Sequence, residues 1–430
     1  MEIQGSTAGE IADSVRTLAA GGRLGAGDAL PSIRDLAVRL GLNRNTVAAA
    51  YAQLAAAGVV ESRRRGGTII RPVPDVPGEG RAAGRELINL AAGNPDPALL
   101  PAAGPIALDG YTTAVYGHPP IGEALAAWSA RHHAPDVDAP HRLVLTHGTV
   151  DAFERLFGAH LTRGDRVAVE DPGYISAIGT LRLNGYRAEP VPADDEGMTP
   201  DGLRSVLSRG VRAVLGTARA QNPTGAGFSA SRAADLRDVL AAHPGVLVVE
   251  DDHFSAVSSQ PYHRITPPDA PRHALIRSVS KFLGPDLRLA FVLADPDTAA
   301  RLEARLGAPT WVSHLLQHVT ATLLPSPLIP AARAAYATRV RLLTDALSAQ
   351  GIPVNPRTDG LNVWVPLPSH PGPASSATRV IAGLADRGWA VRSGADFAVT
   401  GRPHPAVRVT TSTITAGQAT RFAADLAALL

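Results

Sequence analysis

Apolar positions recur at helical spacing from Gly9 to Ala20 and again across residues 29–41, where Pro31 and Ser32 open the second segment and Gly41 closes it. Leu42-Asn43-Arg44-Asn45-Thr46-Val47 then starts a third. Two helices joined by a short glycine-containing turn form a helix-turn-helix, whose second helix presents its N-terminal side chains to a DNA major groove. Asn43, Arg44, Asn45 and Thr46 fall there. Two short β-like runs, residues 59–62 and 68–71, follow at once, joined by Arg63-Arg64-Arg65-Gly66-Gly67, and predict a hairpin with a cationic tip. An arginine triplet alone is ordinarily a solvated surface. Directly after a helix-turn-helix pattern it extends a basic face.

From Leu87 the periodicity changes. Apolar β-type runs at residues 143–146, 166–170, 213–216, 246–250 and 274–277 alternate with alanine-rich helical stretches. That pattern predicts an α/β domain around a buried, mainly parallel sheet. Such sheets bind ligands at the carboxyl ends of their strands. Between the two patterns, residues 72–86 are rich in proline and glycine. They read as a linker that spans at most about 45 Å if extended. The expected domains are residues 1–71 and 87–430.

A length of 430 residues and 45% hydrophobic content suit a globular chain of two to three domains. With no long apolar run and no basic-then-apolar leader at Met1-Glu2-Ile3-Gln4, neither a membrane span nor a signal peptide is expected, and the cytoplasm fits best. The chain has no cysteine, so disulfides, thiolate metal sites and cysteine nucleophiles are excluded, and no metal is expected. A net charge of +2 does not by itself imply nucleic-acid binding. Residues 1–72, however, carry nine arginines against six acids, so the positive charge sits at the N-terminus.

Lysine and arginine together number 41, yet Lys281 is the single lysine. Arginine serves for salt bridges and phosphate contacts but stays protonated and cannot attack a carbonyl as an amine. Forming a Schiff base with an aldehyde cofactor such as pyridoxal 5'-phosphate (PLP) requires lysine. A lone surface lysine in an arginine-biased chain is the alternative, and the neighbouring motifs must decide.

Each apolar run is followed by a polar turn. The first leads to Gly148, Thr149 and Val150, opening a helix whose free N–H groups and dipole suit a phosphate, although many such glycines serve turn geometry only. The second leads to Tyr174, an aromatic ring over the strand ends or simple packing. The third leads to Asn222, held extended by the following proline. The fourth ends in Glu250-Asp251-Asp252-His253, and buried carboxylates there are costly unless something cationic meets them. The fifth ends in Ser278-Val279-Ser280-Lys281, with Arg288 beyond. One ligand accounts for all five: an aldehyde for Lys281, a phosphate for Gly148, Thr149, Ser278 and Arg288, a pyridinium N–H for Asp251 and a ring face for Tyr174.

Residues 8–71, with Leu30-Pro31-Ser32-Ile33-Arg34, the Gly41 turn and the basic hairpin, closely resemble the winged helix-turn-helix of GntR-type transcription regulators. The resemblance implies that Ser32, Arg34, Asn43, Arg44, Asn45 and Thr46 approach bases and phosphates of double-stranded DNA, and that a wing with Arg64, Arg65, Gly66 and Gly67 enters the adjacent groove. Independently, arginine suits guanine edges and phosphates, and asparagine suits adenine.

Asp171-Pro172-Gly173-Tyr174, Asn222-Pro223-Thr224-Gly225, Glu250-Asp251-Asp252, Ser278-Val279-Ser280-Lys281 and Gly284-Pro285-Asp286-Leu287-Arg288 occur in that order. Residues 87–430 thus resemble a fold-type I aminotransferase domain, and the whole chain resembles the MocR subfamily of PLP-dependent regulators. This implies a large, mainly parallel sheet flanked by helices, a smaller C-terminal α+β subdomain and a homodimer. Residue by residue, the resemblance implies Lys281 as the Schiff-base lysine, Asp251 at the ring nitrogen, Asn222 at the ring hydroxyl and Tyr174 stacked on the ring. Ser278, Ser280 and Arg288 fall at the phosphate with Gly148, Thr149 and Val150, and Tyr116 at the phosphate of the partner subunit. Arg408 matches the arginine that grips a ligand carboxylate; otherwise it is an ordinary edge-strand arginine. Two positions depart from the pattern. His253 stands where the family has tyrosine, and would meet the ring hydroxyl or turn into the core. Ser176 stands where members that sense γ-amino acids carry arginine.

The leading expectation is a cytoplasmic, homodimeric, PLP-binding transcription regulator that senses an amine, an amino acid or PLP itself through Lys281. A catalytically competent aminotransferase carrying a DNA-binding domain is the main rival. A repressor with a vestigial PLP site is the third reading.

Overall fold

The computed structural model describes residues 2–63, 67–72, 78–80, 84, 86–102, 108, 110–306, 311–368 and 376–430. The predicted wing residues Arg64, Arg65 and Gly66 and much of the expected linker lie outside the described residues. The chain divides into two compact units, the first covering Met1–Asp75 and the second nearly all of the remainder.

In the first unit, α1 (Ala8–Ala20), α2 (Ile33–Leu40) and α3 (Arg44–Ala56) precede an antiparallel hairpin of β1 (Val60–Arg63) and β2 (Gly67–Ile70). Each boundary has a local cause. The Ser32 side chain caps α2 at Asp35 N, and Gly41 closes it at φ 66°, a left-handed conformation that a Cβ disfavours. Asn43 caps α3 by accepting from Asn45 N at 2.9 Å. Ile11, Val15, Leu36, Val47 and Leu54 are fully buried where the helices meet. Tyr51 Oη donates to Pro31 O at 2.8 Å and fixes α3 against the start of α2. Arg34, Asn43, Arg44 and Asn45 are left exposed, Thr46 half-buried, and Gly67 turns into β2 at φ 70°.

In the second unit, β3 (Ile88–Asn89) pairs with a strand far along the chain, described below. An eight-stranded sheet is then built from β4 (Arg142–Thr146), β5 (Arg166–Asp171), β6 (Arg187–Asp194), β7 (Gly197–Met198), β8 (Ala213–Thr217), β9 (Leu247–Asp251), β10 (His273–Ser278) and β11 (Ala290–Ala294). Their order is β4-β11-β10-β9-β8-β5-β6-β7. The inner pairs β10–β9, β9–β8, β8–β5 and β5–β6 are parallel, whereas β11 runs antiparallel to both β10 and β4. All five predicted runs are strands, and β4, β5, β8, β9 and β10 end on the same edge. Alternate residues face opposite layers. Val144, Val169, Val249 and Ile276 pack with Phe153 and Phe157 of a helix spanning Thr149–His160, while Leu145, Leu275 and Phe291 pack with Phe254 and Phe282 on the other face. Each such side chain contributes about 1.5–3 kcal/mol by leaving water.

The C-terminal part is a smaller α+β layer. β12 (Asn362–Pro366), β14 (Arg392–Ser393) and β15 (Ala406–Thr410) form an antiparallel sheet in the order β12-β15-β14, and β13 (Trp389–Ala390) pairs with β3. Leu343 and Phe422, from helices Leu328–Ala349 and Ala416–Ala427, close its core against Val363 and Val407.

Beneath the carboxyl edge of the large sheet lies a buried charge cluster. Asp252, fully buried just past β9, accepts from Arg219 Nε at 3.0 Å, Arg219 Nη2 at 2.6 Å and Arg277 Nε at 2.8 Å. Arg277 Nη2 also lies 2.7 Å from Asp136 Oδ2. Burial works to raise the Asp252 pKa, but the two guanidiniums outweigh it and hold the carboxyl below its ordinary range. Replacing Asp252 with alanine leaves two arginines facing an empty pocket, at an expected cost of about 3–5 kcal/mol in chemical denaturation. Because the folded pKa is depressed, the stabilisation is present above the unfolded carboxylate pKa of ~3.9 and is lost as pH falls below it. In the Asp252→Ala protein that component of acid destabilisation is expected to be absent.

Candidate ligand-binding site

The strand ends surround a cavity whose empty volume, with its mouth, is about 1000 Å³. Lys281, three residues past β10, enters from one wall and donates from Nζ to Gly93 O at 2.9 Å. Asp251, the last residue of β9, also lines the cavity, with its Oδ1 buried and without a hydrogen-bond partner among the described residues. His253 also lines the cavity, its Nδ1 3.6 Å from Asp251 Oδ2. It therefore faces the cavity rather than the core. Tyr174 and Asn222 complete the walls, as the turns after β5 and β8 were expected to do.

Part of the lining forms a polar cradle. Gly148 adopts φ 90° at the start of the Thr149–His160 helix, and a Cβ there would lie 2.6 Å from Arg288 Nη2. Arg288 Nη2 donates to His147 O at 3.1 Å. Thr149 Oγ1 is buried without a partner among the described residues, and Ser278 Oγ donates to Ser280 Oγ at 2.9 Å nearby. Hydroxyls, free helix N–H groups and a guanidinium suit a phosphate. Asp251 offers an acceptor with no partner among the described residues, and Lys281 an amine. The donor set fits PLP on this structure's own terms.

The charges are unevenly stabilised. Burial is the main cause that lowers the Lys281 pKa from its ordinary value; the Glu79 charge opposes it and the Arg408 charge adds to it. Burial pushes the Tyr174 phenol up to about 12, so it stays neutral near neutral pH. Arg408, 0% exposed in β15, donates from Nη1 to Asn222 Oδ1 at 3.0 Å and from Nη2 to Ala91 O at 2.6 Å, and stacks 5.0 Å from the Phe397 ring centre. Its remaining partner is Glu79, 2.8 Å away.

Ten residues selected from sequence line one cavity here: Thr149, Val150, Tyr174, Asn222, Asp251, His253, Ser278, Ser280, Lys281 and Arg288. Gly148 lies against Arg288, and Arg408 bonds Asn222 and Glu79, all three of which line the cavity. Tyr116 does not reach it; 76% exposed, it meets the Trp311 ring edge-on at 5.5 Å. Sequence reasoning missed Glu79 and Gly93. Glu79 sits in the proline- and glycine-rich segment, which carries no periodic signal, and Gly93 shows its purpose only through its φ of 69° beside Glu79 and Arg408.

Residues 85–426 match the family "Aminotransferase class I and II", and residues 7–70 match "Bacterial regulatory proteins, gntR family". The chain is 44% identical over 431 residues to the vitamin B6 salvage pathway transcriptional repressor PtsJ of Salmonella typhimurium, covering 99% of this chain and 98% of that protein. The chain belongs to the MocR-type transcription regulators. A second MocR-type relative, the pyridoxine biosynthesis transcriptional regulator PdxR of Corynebacterium glutamicum, is 29% identical over 74% of this chain and 72% of its own. In fold, the chain is similar to the α-aminoadipate aminotransferase LysN of Thermus thermophilus, with a TM-score of 0.69 and 24% identity over 80% of this chain and 92% of that one. No helix among the described residues is long and apolar enough to cross a membrane.

Because Lys281 is the single lysine of this MocR-type chain, its amine chemistry can be read without interference from other side chains. Reductive trapping of the apoprotein with an aldehyde, mapped to Lys281 by mass spectrometry across pH, is expected to reach half its maximal rate below the ordinary lysine value of ~10.4. A midpoint at or above that value would contradict the electrostatics described here.

Proposed function

We propose that the protein is a PLP-responsive transcription regulator that acts as a homodimer on double-stranded DNA in the cytoplasm. Lys281 carries the cofactor, and PLP or an amine that reacts with it is the signal. The observation that carries this reading is the meeting, in one cavity, of the single lysine and a carboxylate oxygen of Asp251 that has no partner among the described residues, in a chain that also bears a GntR-type unit. When bound, PLP supplies an aldehyde carbon that condenses with a primary amine with loss of water.

The chain's own residues supply the rest. Lys281 presents a neutral amine more readily than an exposed lysine does, because burial disfavours its ammonium. Asp251 accepts a ring N–H, and Asn222 and His253 stand beside it for a ring hydroxyl. Tyr174 covers a ring face. Ser278, Ser280, Arg288 and the N–H groups at Gly148, Thr149 and Val150 hold the phosphate. Arg408 is the candidate carboxylate clamp, and Tyr116, exposed on this subunit, is available to a partner's site. In the first unit, exposed Arg34, Asn43, Arg44 and Asn45, with Thr46, form the reading head. Ser32 shapes it by capping α2. For the signal to regulate, it must bind two conformers of the chain with different affinity.

The similarity to two regulators named for vitamin B6 pathways favours PLP as the signal over an unrelated amine. The shared fold keeps alive the reading as a competent aminotransferase, which sustained conversion of an amino donor and a keto acid would support.

Two experiments test the proposal. Lys281→Ala is expected to abolish the visible absorbance of the PLP-loaded protein and the dependence of DNA affinity on PLP; a PLP response that survives the substitution would overturn it. Arg44→Ala is expected to weaken binding to DNA selected by this protein by about 1–3 kcal/mol in fluorescence anisotropy, while leaving the visible absorbance unchanged.

A further inference from the structure

The cavity already contains a carboxylate that belongs to the chain. Glu79 Oε1 accepts from Arg408 Nη1 at 2.8 Å and from Asn222 Nδ2 at 2.9 Å. Arg408 is the side chain that would otherwise receive a ligand carboxylate, on the reading given above, and Asn222 bonds both Arg408 and Glu79. Glu79 lies in no helix or strand, yet its position is fixed from both sides. Arg392 Nη1 donates to Gly78 O at 3.0 Å, and Gly80 N donates to Ala92 O at 2.9 Å.

The backbone at Gly93 leaves room for it. A Cβ on Gly93 would lie 2.7 Å from Glu79 Oε2, 3.1 Å from Arg408 Nη2 and 3.3 Å from Arg408 Nη1. Any larger residue there would push the carboxylate and the guanidinium apart. Burial works to raise the Glu79 pKa, but Arg408 and Asn222 outweigh it, so the group stays ionised at neutral pH.

We propose that Glu79 is a specificity-determining residue: it occupies Arg408 as an internal carboxylate, so that the site disfavours ligands bearing an α-carboxylate and favours PLP and simple amines. The proposal rests on the assignment of Arg408 as the carboxylate clamp and narrows the signal class of that same site. Its physical basis is exchange. A free amino acid gains Arg408 only by displacing a carboxylate that makes the same charge-assisted hydrogen bonds, so the pairing gives little net affinity. A ligand without a carboxylate makes no such exchange and leaves Arg408 neutralised by Glu79. An uncompensated guanidinium at 0% exposure would be costly, so the clamp is paired in either state.

The test compares the full-length wild type with Glu79→Gln and Glu79→Ala. Glu79→Gln removes the charge while keeping the shape and the Asn222 contact; Glu79→Ala removes both. In the PLP-loaded proteins, visible absorbance is followed during titration with L-alanine and with ethylamine, which differ by the carboxylate. Because the Glu79 charge also acts on Lys281, the reading is the ratio: both variants are expected to gain roughly tenfold or more in L-alanine affinity relative to ethylamine affinity. An unchanged ratio in both variants, as from an equal gain for ethylamine, would overturn the proposal.

A second arm uses no cofactor. Calorimetric titration of the apoproteins with succinate, a carboxylate without an amine, is expected to show tighter binding in both variants. Equal succinate affinity in all three proteins counts against the proposal, whatever the PLP titrations show. The succinate arm therefore separates a failure of the Glu79 assignment from a failure of the PLP reading, which would appear as absent visible absorbance in the wild type.

Discussion

Asp252 ties together the loops on which the cavity is built. It lies one residue beyond Asp251, and its two arginines come from the end of β10 and from the segment after β8, so one buried carboxylate joins three neighbouring strand ends. An unpaired charge at zero exposure would be prohibitive, and so would two unpaired guanidiniums. Each member therefore holds the others in place. Consecutive residues of the strand end do opposite work. Asp252 is engaged by Arg219 and Arg277, and Asp251 keeps an acceptor oxygen without a partner among the described residues.

Above this base, the cavity balances charge within a small desolvated volume. Lys281, Arg408 and Arg288 are cationic groups; Glu79 and Asp251 are the acids that face them. Hydrogen bonds at 2.8 to 3.0 Å connect Glu79, Asn222 and Arg408 into one network that crosses from the large sheet to β15. The smaller C-terminal layer thus contributes Arg408, and the segment near Glu79 contributes its counter-charge. In this low-dielectric setting the pairings are worth far more than at a surface, and any ligand must be accounted for by what it replaces.

Much of this was legible in the chain. The five apolar runs became β4, β5, β8, β9 and β10 because β-branched and small apolar residues buried on both faces need no polar alternation. The turns after them carry short motifs in which residues adjacent in sequence are adjacent at the strand end, so Tyr174, Asn222, Asp251 and Lys281 were found from local spacing. The caps of the first unit were likewise local: Ser32, Gly41 and Asn43 fix α2 and α3 through their own side chains or dihedrals. What escaped notice was non-local. Glu79 meets Arg408 across 329 residues, and the segment holding it has no period to betray an anchored structure.

The sequence by itself determined the two units, the parallel strands and the presence of a single lysine at a strand end, since these depend on periodicity, on capping chemistry and on a residue type used once. Only the tertiary structure decided that Arg219 and Arg277 neutralise Asp252, and that His253 faces the cavity. It alone revealed that Arg408 is already paired with Glu79. The reason is physical: burial and pairing belong to groups brought together from distant parts of the chain, and a side chain's charge acquires its meaning from what surrounds it after folding.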